Sequence, residues 1–257
     1  MNNQIKIIEE LLLNSTPSIK TLIFAGWVLR LNAGYTYRGN CICPLQCDSE
    51  EEFSKKLKEC EKIFELNEIP PIVKVTEFMP KELRDILVNS GYAKIKTVNT
   101  MCVRLADIKI SSAEKLETIA KVDEEWLEAS TRLTGVTGEE LRAVHRLGIR
   151  NIADKSIFVK AKRDNKVIGC AYGTMERGYV GIYDLHVDEK YQNKGLGTAI
   201  FNEIVKWAKS KKADYLYLIV HSKNVKAIKL YKKMGFENIY TYDFYQKKAS
   251  LYKVIDG

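Results

Sequence analysis

The sequence predicts an α/β fold of two lobes in tandem, and three observations predict it. Segments of strand character alternate with segments of helical periodicity along all 257 residues. Residues 72–92 read as strand, helix, Gly-Tyr and strand, and residues 216–236 read as strand, helix, Gly-Phe and the start of another strand, with the same strand-to-glycine offset. A glycine-bearing turn at residues 191–198 falls between a strand and a helix in the second half alone. This repeat divides the chain into an N-terminal lobe, residues 1–108, and a C-terminal domain, residues 109–257.

The elements follow in order. Residues 4–13 have the spacing of an amphipathic helix, which Asn14-Ser15-Thr16-Pro17 ends. Residues 20–31 and 35–43 have strand character, with a hairpin turn expected at Asn32-Ala33-Gly34. Ser49 with Glu52 three residues later forms a capping box, and Phe53, Leu57, Cys60 and Phe64 share one face of the helix that it starts. Pro70-Pro71 stop that segment before a strand at 72–76, a helix at 81–89 and a strand at 92–105. The second half begins near Ser111. Helices are expected at 122–133 and 138–149, then three successive strands at 155–162, 166–175 and 179–187, turning at Asp164-Asn165 and Arg177-Gly178. A helix at 196–210 turns Leu196, Ile200, Ile204, Val205 and Ala208 inward. A dense apolar run at 215–220 suits a buried strand. A helix at 224–234, closed by Gly235, and a strand at 239–246 complete the chain.

Composition narrows the function classes. Apolar residues make up 46% and charged residues 29%, enough for a core and a soluble surface. No apolar run reaches membrane-spanning length and the first residues lack a secretory pattern, so a cytoplasmic protein with no membrane partner is expected. The six cysteines (Cys41, Cys43, Cys47, Cys60, Cys102, Cys170) form no C-x-x-C pair, and the three histidines are scattered. We therefore expect free thiols and no metal site. The net charge of +8 comes from lysines spread over helix faces. Without a helix-turn-helix or an interleaved basic and aromatic surface, no nucleic-acid partner is expected.

The turn Tyr191-Gln192-Asn193-Lys194-Gly195-Leu196-Gly197-Thr198 carries the functional argument. A helix start leaves several backbone N–H groups unpaired, and with the helix dipole they favour phosphates. Glycine permits close backbone approach and unusual φ/ψ, and Lys194 adds positive charge. The turn is neither a Walker loop nor a dinucleotide fingerprint. Gln192-x-x-Gly195-x-Gly197 resembles the Q/R-x-x-G-x-G/A motif of the GNAT (Gcn5-related N-acetyltransferase) family. The stretch from Asn224 through Ala227, Leu230 and Tyr231 to Gly235-Phe236 is similar to that family's N-x-x-A-x-x-L-Y-x-x-x-G-F segment. Both stand in family order and spacing, and the resemblance covers residues 111–246.

The resemblance implies a mixed, mostly antiparallel sheet flanked by helices, with a splayed central strand in the C-terminal lobe. It implies transfer of an acetyl group from acetyl-coenzyme A, as co-substrate, to a primary amine of a small molecule, amino acid or peptide. The chain would act as a monomer or homodimer. A catalytically decayed acetyl-CoA-binding regulatory module is the alternative. The cofactor would meet Leu185, His186 and Val187 on the strand, Gln192, Asn193, Lys194, Gly195, Leu196, Gly197 and Thr198 on the turn, and Asn224, Ala227 and Tyr231 beyond. Leu185 supplies a backbone N–H for the oxyanion, and Tyr231 matches the general acid. The amine must lose a proton to attack. Many relatives carry a glutamate or histidine early in the strand, where Gly181 and Tyr183 stand here. Tyr183 and Asp184 remain candidates. Strict alternation puts Asp184 and His186 on the face opposite Tyr183, unless a bulge reverses it. Cys170 and Trp126 read first as packing residues, although the helix carrying Trp126 borders the acceptor pocket in this family.

The N-terminal segments Trp27-Val-Leu29-Arg30 and Gly34-Tyr-Thr-Tyr-Arg38-Gly-Asn40 resemble those of a two-lobed subset of the family. The resemblance implies that Arg30, Arg38 and Asn40 shape an acceptor site or a lobe interface. The phosphate turn has no counterpart before residue 60. The first lobe is thus expected to be a degenerate copy, with one cofactor per chain.

Overall fold

The computed structural model describes residues 3–46, 49–77, 79–110, 115–153, 155–248 and 252–254. The N-terminal half runs α1 (Asn3–Ser15), β1 (Lys20–Phe24), β2 (Trp27–Leu31), β3 (Ile42–Pro44), α2 (Glu50–Leu66), β4 (Ile72–Thr76), α3 (Lys81–Asn89) and β5 (Tyr92–Arg104). The C-terminal half runs β6 (Glu117–Ile119), α4 (Glu124–Leu133), α5 (Glu139–Arg150), β7 (Lys155–Arg163), β8 (Lys166–Glu176), β9 (Tyr179–Val187), α6 (Leu196–Ser210), β10 (Tyr215–His221), α7 (Val225–Lys233) and β11 (Glu237–Lys247).

Local chemistry explains most of these boundaries. Ser49 accepts from the Glu52 amide while the Glu52 carboxylate takes the Ser49 N–H, closing the start of α2. Phe53, Leu57, Cys60 and Phe64 are all buried, as the helical spacing predicts. The pairs Asp164/Asn165 (φ 50° and 59°) and Arg177/Gly178 (φ 50° and 79°) make two-residue hairpin turns with both φ values positive. Asn224 caps α7 through Ala227 N–H, and Gly235 at φ 91° ends it.

One N-terminal expectation is overturned. The hairpin turns at Ala25-Gly26 (φ 45° and 85°), inside the predicted first strand, and not at Asn32-Ala33-Gly34. Residues 32–41 form a loop, and only Ile42–Pro44 of the following segment pairs as a strand. The buried Asn40 side chain holds that loop. Its Oδ1 accepts from Asn32 and Gly34 N–H, and its amide donates to the Tyr35 and Thr36 carbonyls. These bonds stand in for a strand ladder. The strand β6 was not anticipated, and the expected boundary near Ser111 lies outside the described residues.

The described strands form one sheet in the order β1-β2-β3-β4-β11-β5-β10-β9-β8-β7-β6. Apart from β3 with β4 and β9 with β10, neighbours are antiparallel. The centre of this order shows how the halves join. By the internal repeat β4 corresponds to β10 and β5 to β11. Yet β4 pairs with β11, and β10 pairs with β5. Each half therefore gives its last strand to the other half, and β5 and β11 pair with one another between them.

Alternation along the strands gives two covered faces. Val73 and Val75 pack with α2 and α3, and Met101, Val103, Leu216 and Leu218 pack with α6 and α7. The other face carries α1 and α4 against Tyr172, Tyr183, Tyr217 and Tyr242. The α1 helix lies over the exchange. Its buried Glu9 accepts from Lys74 Nζ of β4 at 2.6 Å and from the Tyr240 hydroxyl of β11. Lys74 Nζ also lies 4.1 Å from the Tyr242 ring centroid. At the opposite edge the buried Lys160 ammonium contacts Glu117 at 2.6 Å and Asp123 and Glu125 at 2.8 Å each. Those carboxylates lie close enough to hold a cation, and the lysine is that cation.

Candidate active site

The site is built on β9. This strand pairs with β10 only from Tyr179 to Gly181, opposite Tyr215–Tyr217, whereas β10 stays paired with β5 as far as His221. Beyond Gly181 the neighbours part, and a cavity of 310 Å³ fills the opening. Leu185 and His186 line one side, Asn224 and Tyr231 the other, and Tyr37 and Arg38 from the N-terminal loop complete it.

A bulge redirects the side chains of β9. Tyr183 pairs with Tyr172 and His186 pairs with Cys170, so three steps on β9 match two on β8. Asp184 takes up the extra residue with φ 47°, a conformation that aspartate tolerates better than most. Cys170 and Tyr172 share a face, so His186 lands on the same face as Tyr183. Strict alternation fails here, and the bulge reverses the face of His186. Asp184 faces the same cavity region, beside Arg38 and His145. The Leu185 and Val187 side chains turn the other way, towards α6. A Cβ on Gly197 would meet them at 3.6 Å and 3.8 Å, which is ordinary contact.

The turn after β9 presents a bare helix start. Gly195 is the α6 N-cap at φ 84°, in the left-handed region that favours glycine. It provides no side-chain cap, and the first turn of α6 carries no acidic residue. The first amide with an intrahelical acceptor is that of Ala199, bonded to the Gly195 carbonyl at 3.0 Å. The N–H groups of Leu196, Gly197 and Thr198 thus precede the ladder and point outward. Gln192 Nε2 donates to the Val187 carbonyl at 3.0 Å, tying the turn to the end of β9. Lys194 donates to the Lys190 carbonyl and lies 5.7 Å from the Tyr191 ring centroid. Asn193, at φ 59°, is exposed.

Across the opening, Ala227 is half-buried and its N–H donates to Asn224 Oδ1 at 3.1 Å. Tyr231 packs edge-on to Phe236 at 5.9 Å, and burial raises its pKa above the ordinary value. It therefore holds its proton at neutral pH.

The early part of β9 is filled by aromatic rings. A Cβ on Gly181 would lie 2.6 Å from atoms of Tyr183 and Tyr217. The two hydroxyls bond at 2.7 Å, and Tyr217 continues to Ser15 Oγ at 3.2 Å. Tyr183 is thus a buried bolt between β9, β10 and α1. Asp184 and His186 line the cavity together with Tyr183, whose hydroxyl is already bonded to Tyr217.

The remaining candidates separate by position. Arg38 lines the cavity, whereas Arg30 is buried and donates to the Thr16 carbonyl. Asn40 organises the loop from within. Trp126 is fully buried and donates to the Val159 carbonyl at 3.1 Å, so it anchors packing and leaves the pocket wall to others. Cys170 is buried, and burial pushes its thiol pKa up. Cys41 and Cys43 are buried free thiols 3.4 Å apart, and Cys47 lies outside the described residues. One site-lining residue had no signal in the sequence, namely His145. Its Nδ1 bonds Tyr35 of the N-terminal loop at 2.9 Å and its Nε2 bonds Ser130 of α4 at 3.0 Å.

With this geometry the chain can be set beside known proteins. A sequence model described as the acetyltransferase (GNAT) family matches residues 121–236, the stretch that holds β9, the turn and α7. Over that stretch the chain carries a GNAT acetyltransferase domain. The uncharacterized N-acetyltransferase YobR of Bacillus subtilis is 27% identical over 243 residues, spanning 92% of this chain and 96% of that protein. A GCN5-related N-acetyltransferase from Kribbella flavida shares the fold with a TM-score of 0.71 at 14% identity, covering 96% of this chain and 95% of that one. A tandem GNAT protein from the clavulanic acid biosynthesis pathway shares it at 0.67 and 12% identity, covering 94% and 86%. The GNAT fold and an N-acetyltransferase assignment follow. No described helix is long and apolar enough to cross a membrane.

Proposed function

We propose that this GNAT enzyme moves the acetyl group of acetyl-coenzyme A to a primary amine, using one cofactor site in its C-terminal half. The observation that carries this reading is the uncapped, acid-free start of α6 beside a cavity through the parted strands. An anion-binding helix start next to a slot open across the sheet suits a phosphate-bearing, elongated cofactor. Gln192, Asn193, Lys194, Gly195, Leu196, Gly197 and Thr198 would hold its phosphates. Leu185, His186 and Val187 would hold its arm, with Asn224, Ala227 and Tyr231 opposite. When bound, the cofactor supplies an activated acyl carbonyl and a thiol leaving group.

The chain's own residues supply the proton chemistry. Asp184 Oδ and the His186 imidazole take the proton from the acceptor amine, either directly or through water. The Leu185 backbone N–H, on the stretch of β9 beyond its pairing with β10, polarises the acyl oxygen. The Tyr231 hydroxyl, kept protonated by burial, gives its proton to the departing sulfur. Tyr183 positions the strand and transfers no proton. The division into residues 1–108 and 109–257 belongs to the same proposal. Under it, the first lobe is a degenerate copy that contributes a loop to the acceptor side.

Incubation with acetyl-coenzyme A and a panel of amines, following free thiol release and acetylated product by mass spectrometry, tests the reading. Product with at least one amine is expected. Cofactor binding without product from any amine would favour the regulatory module.

A further inference from the structure

Three buried or half-buried cations cluster where the N-terminal loop meets the sheet, and two of them are matched. Arg30 donates to the Thr16 carbonyl and hydroxyl, and Lys74 is paired with Glu9. The third is Arg38. Among the described residues its guanidinium has no hydrogen bond and no ion-pair partner, although it lies within the field of Asp184 and of the Tyr242, Tyr172 and Tyr183 hydroxyls. The carboxylate of Asp184 likewise has no hydrogen-bond or ion-pair partner among them. Both line the same cavity, and they do not touch.

Two opposite charges held apart in one cavity are costly unless a ligand completes them. The fold nevertheless fixes both. Asp184 is set by the bulge. Arg38 sits on a loop pinned by four Asn40 bonds, with Ala33, Gly34 and Thr36 at φ 48°, 72° and 61°, and tied to α5 by the Tyr35–His145 bond. Guanidinium binds planar oxyanions through two parallel N–H donors, and a carboxylate fits that fork. The phosphates of the cofactor are not the natural partner. The turn that would hold them lies by Leu185 and Val187, on the α6 face, whereas Arg38 and Asp184 stand with Tyr172 on the other.

Resting on the acetyltransferase reading above, we propose that the acceptor is an amino-carboxylate, its amine directed to Asp184 and its carboxylate bound by Arg38. The N-terminal half then sets acceptor specificity, and the C-terminal half sets the cofactor.

The test compares amino acids with their own carboxamides and with diamines of similar length, reading kcat/KM for thiol release. Carboxylates should exceed matched carboxamides at least tenfold. Arg38→Gln should bring that ratio close to one, chiefly through KM of the carboxylates. Arg38→Lys should restore part of it, and Arg38→Glu should turn preference towards diamines. Circular dichroism of each variant checks the fold. Carboxamides or diamines serving the wild type as well as carboxylates would overturn the proposal while leaving the acetyltransferase reading intact. So would a tenfold loss of acetyl-coenzyme A affinity in Arg38→Gln, which would place Arg38 in the cofactor site. If acetyl-coenzyme A does not bind the wild type at all, both readings fall together.

Discussion

The same structural position occurs twice in this chain, and its two versions are opposites. After β3 the chain enters α2 through a capping box, and after β9 it enters α6 through a bare glycine. At α2, Ser49 and Glu52 satisfy the terminal amides, and Glu50, Glu51 and Glu52 put three negative charges in the first turn. At α6, Gly195 offers no side-chain acceptor, no acid follows, and Lys194 precedes. One helix start is sealed by its own sequence and repels anions, while the other is left for a ligand. The comparison teaches that a repeat can keep its topology while a few residues decide which helix start is left uncapped. The following loops differ as well. Asn224 caps α7 beside the cavity, whereas Pro80 begins α3 with no side-chain cap.

The largest effect is expected where the halves are joined. Lys74→Met leaves Glu9 buried without its cation, and loss of about 3–5 kcal/mol of stability should appear in denaturant unfolding. If the exchange of β5 and β11 binds the halves together, unfolding stays a single transition; two separated transitions would break that picture. Next is Tyr231→Phe, which removes the proposed acid of the C-terminal half. It should lower kcat by about 100-fold, near 2.7 kcal/mol, with little change in cofactor affinity. Turnover equal to wild type would remove Tyr231 from that role. Gly195→Ala puts a side chain into a left-handed conformation at a cost of about 1–2 kcal/mol and should weaken cofactor binding by calorimetry. Gly197→Ala, whose Cβ meets only ordinary contacts, should do much less. Ser49→Ala at the sealed helix start should cost about 1 kcal/mol of stability and leave cofactor affinity unchanged.

The smallest effect concerns the bond between the halves. Burial lowers the His145 pKa below 6.5, against the opposing pull of Asp184. A lowered folded pKa means that the unfolded chain binds more protons, so stability rises with pH across this window. The contribution is complete above about 6.5 and is lost as pH falls through the lowered value. The melting temperature of wild type relative to His145→Asn should therefore fall between pH 7.5 and 5. A constant difference would show that the Tyr35–His145–Ser130 bridge does not titrate.

Much of the fold was legible because local rules and tertiary packing agree. The capping box, the hairpin turns at 164–165 and 177–178, and the inward stripes of α2 and α6 follow from residue chemistry alone. The hairpin at Ala25-Gly26 was missed because β-branched and apolar residues run on both sides of it, and because Asn32-Ala33-Gly34 carries a stronger turn signal. The loop at 32–41 depends on Asn40, whose four bonds no periodicity reveals. The exchange of β5 and β11 was invisible because either partner satisfies the same apolar pattern. In the site, the turn and the Asn224–Tyr231 segment stood out through their resemblance to family motifs, and the structure sets Asn224 and Tyr231 on one cavity. The face of Asp184 and His186 depends on one extra residue in β9, and that is settled only by pairing with β8. His145 offered no signal, since its partners Tyr35 and Ser130 are distant in sequence.

Isothermal titration of the full chain with acetyl-coenzyme A tests the central claim most directly. The open start of α6 and the sealed start of α2 predict one molecule bound per chain, weakened by Gly195→Ala and unaffected by Ser49→Ala. Two molecules per chain, no binding, or binding lost in Ser49→Ala and kept in Gly195→Ala would contradict it.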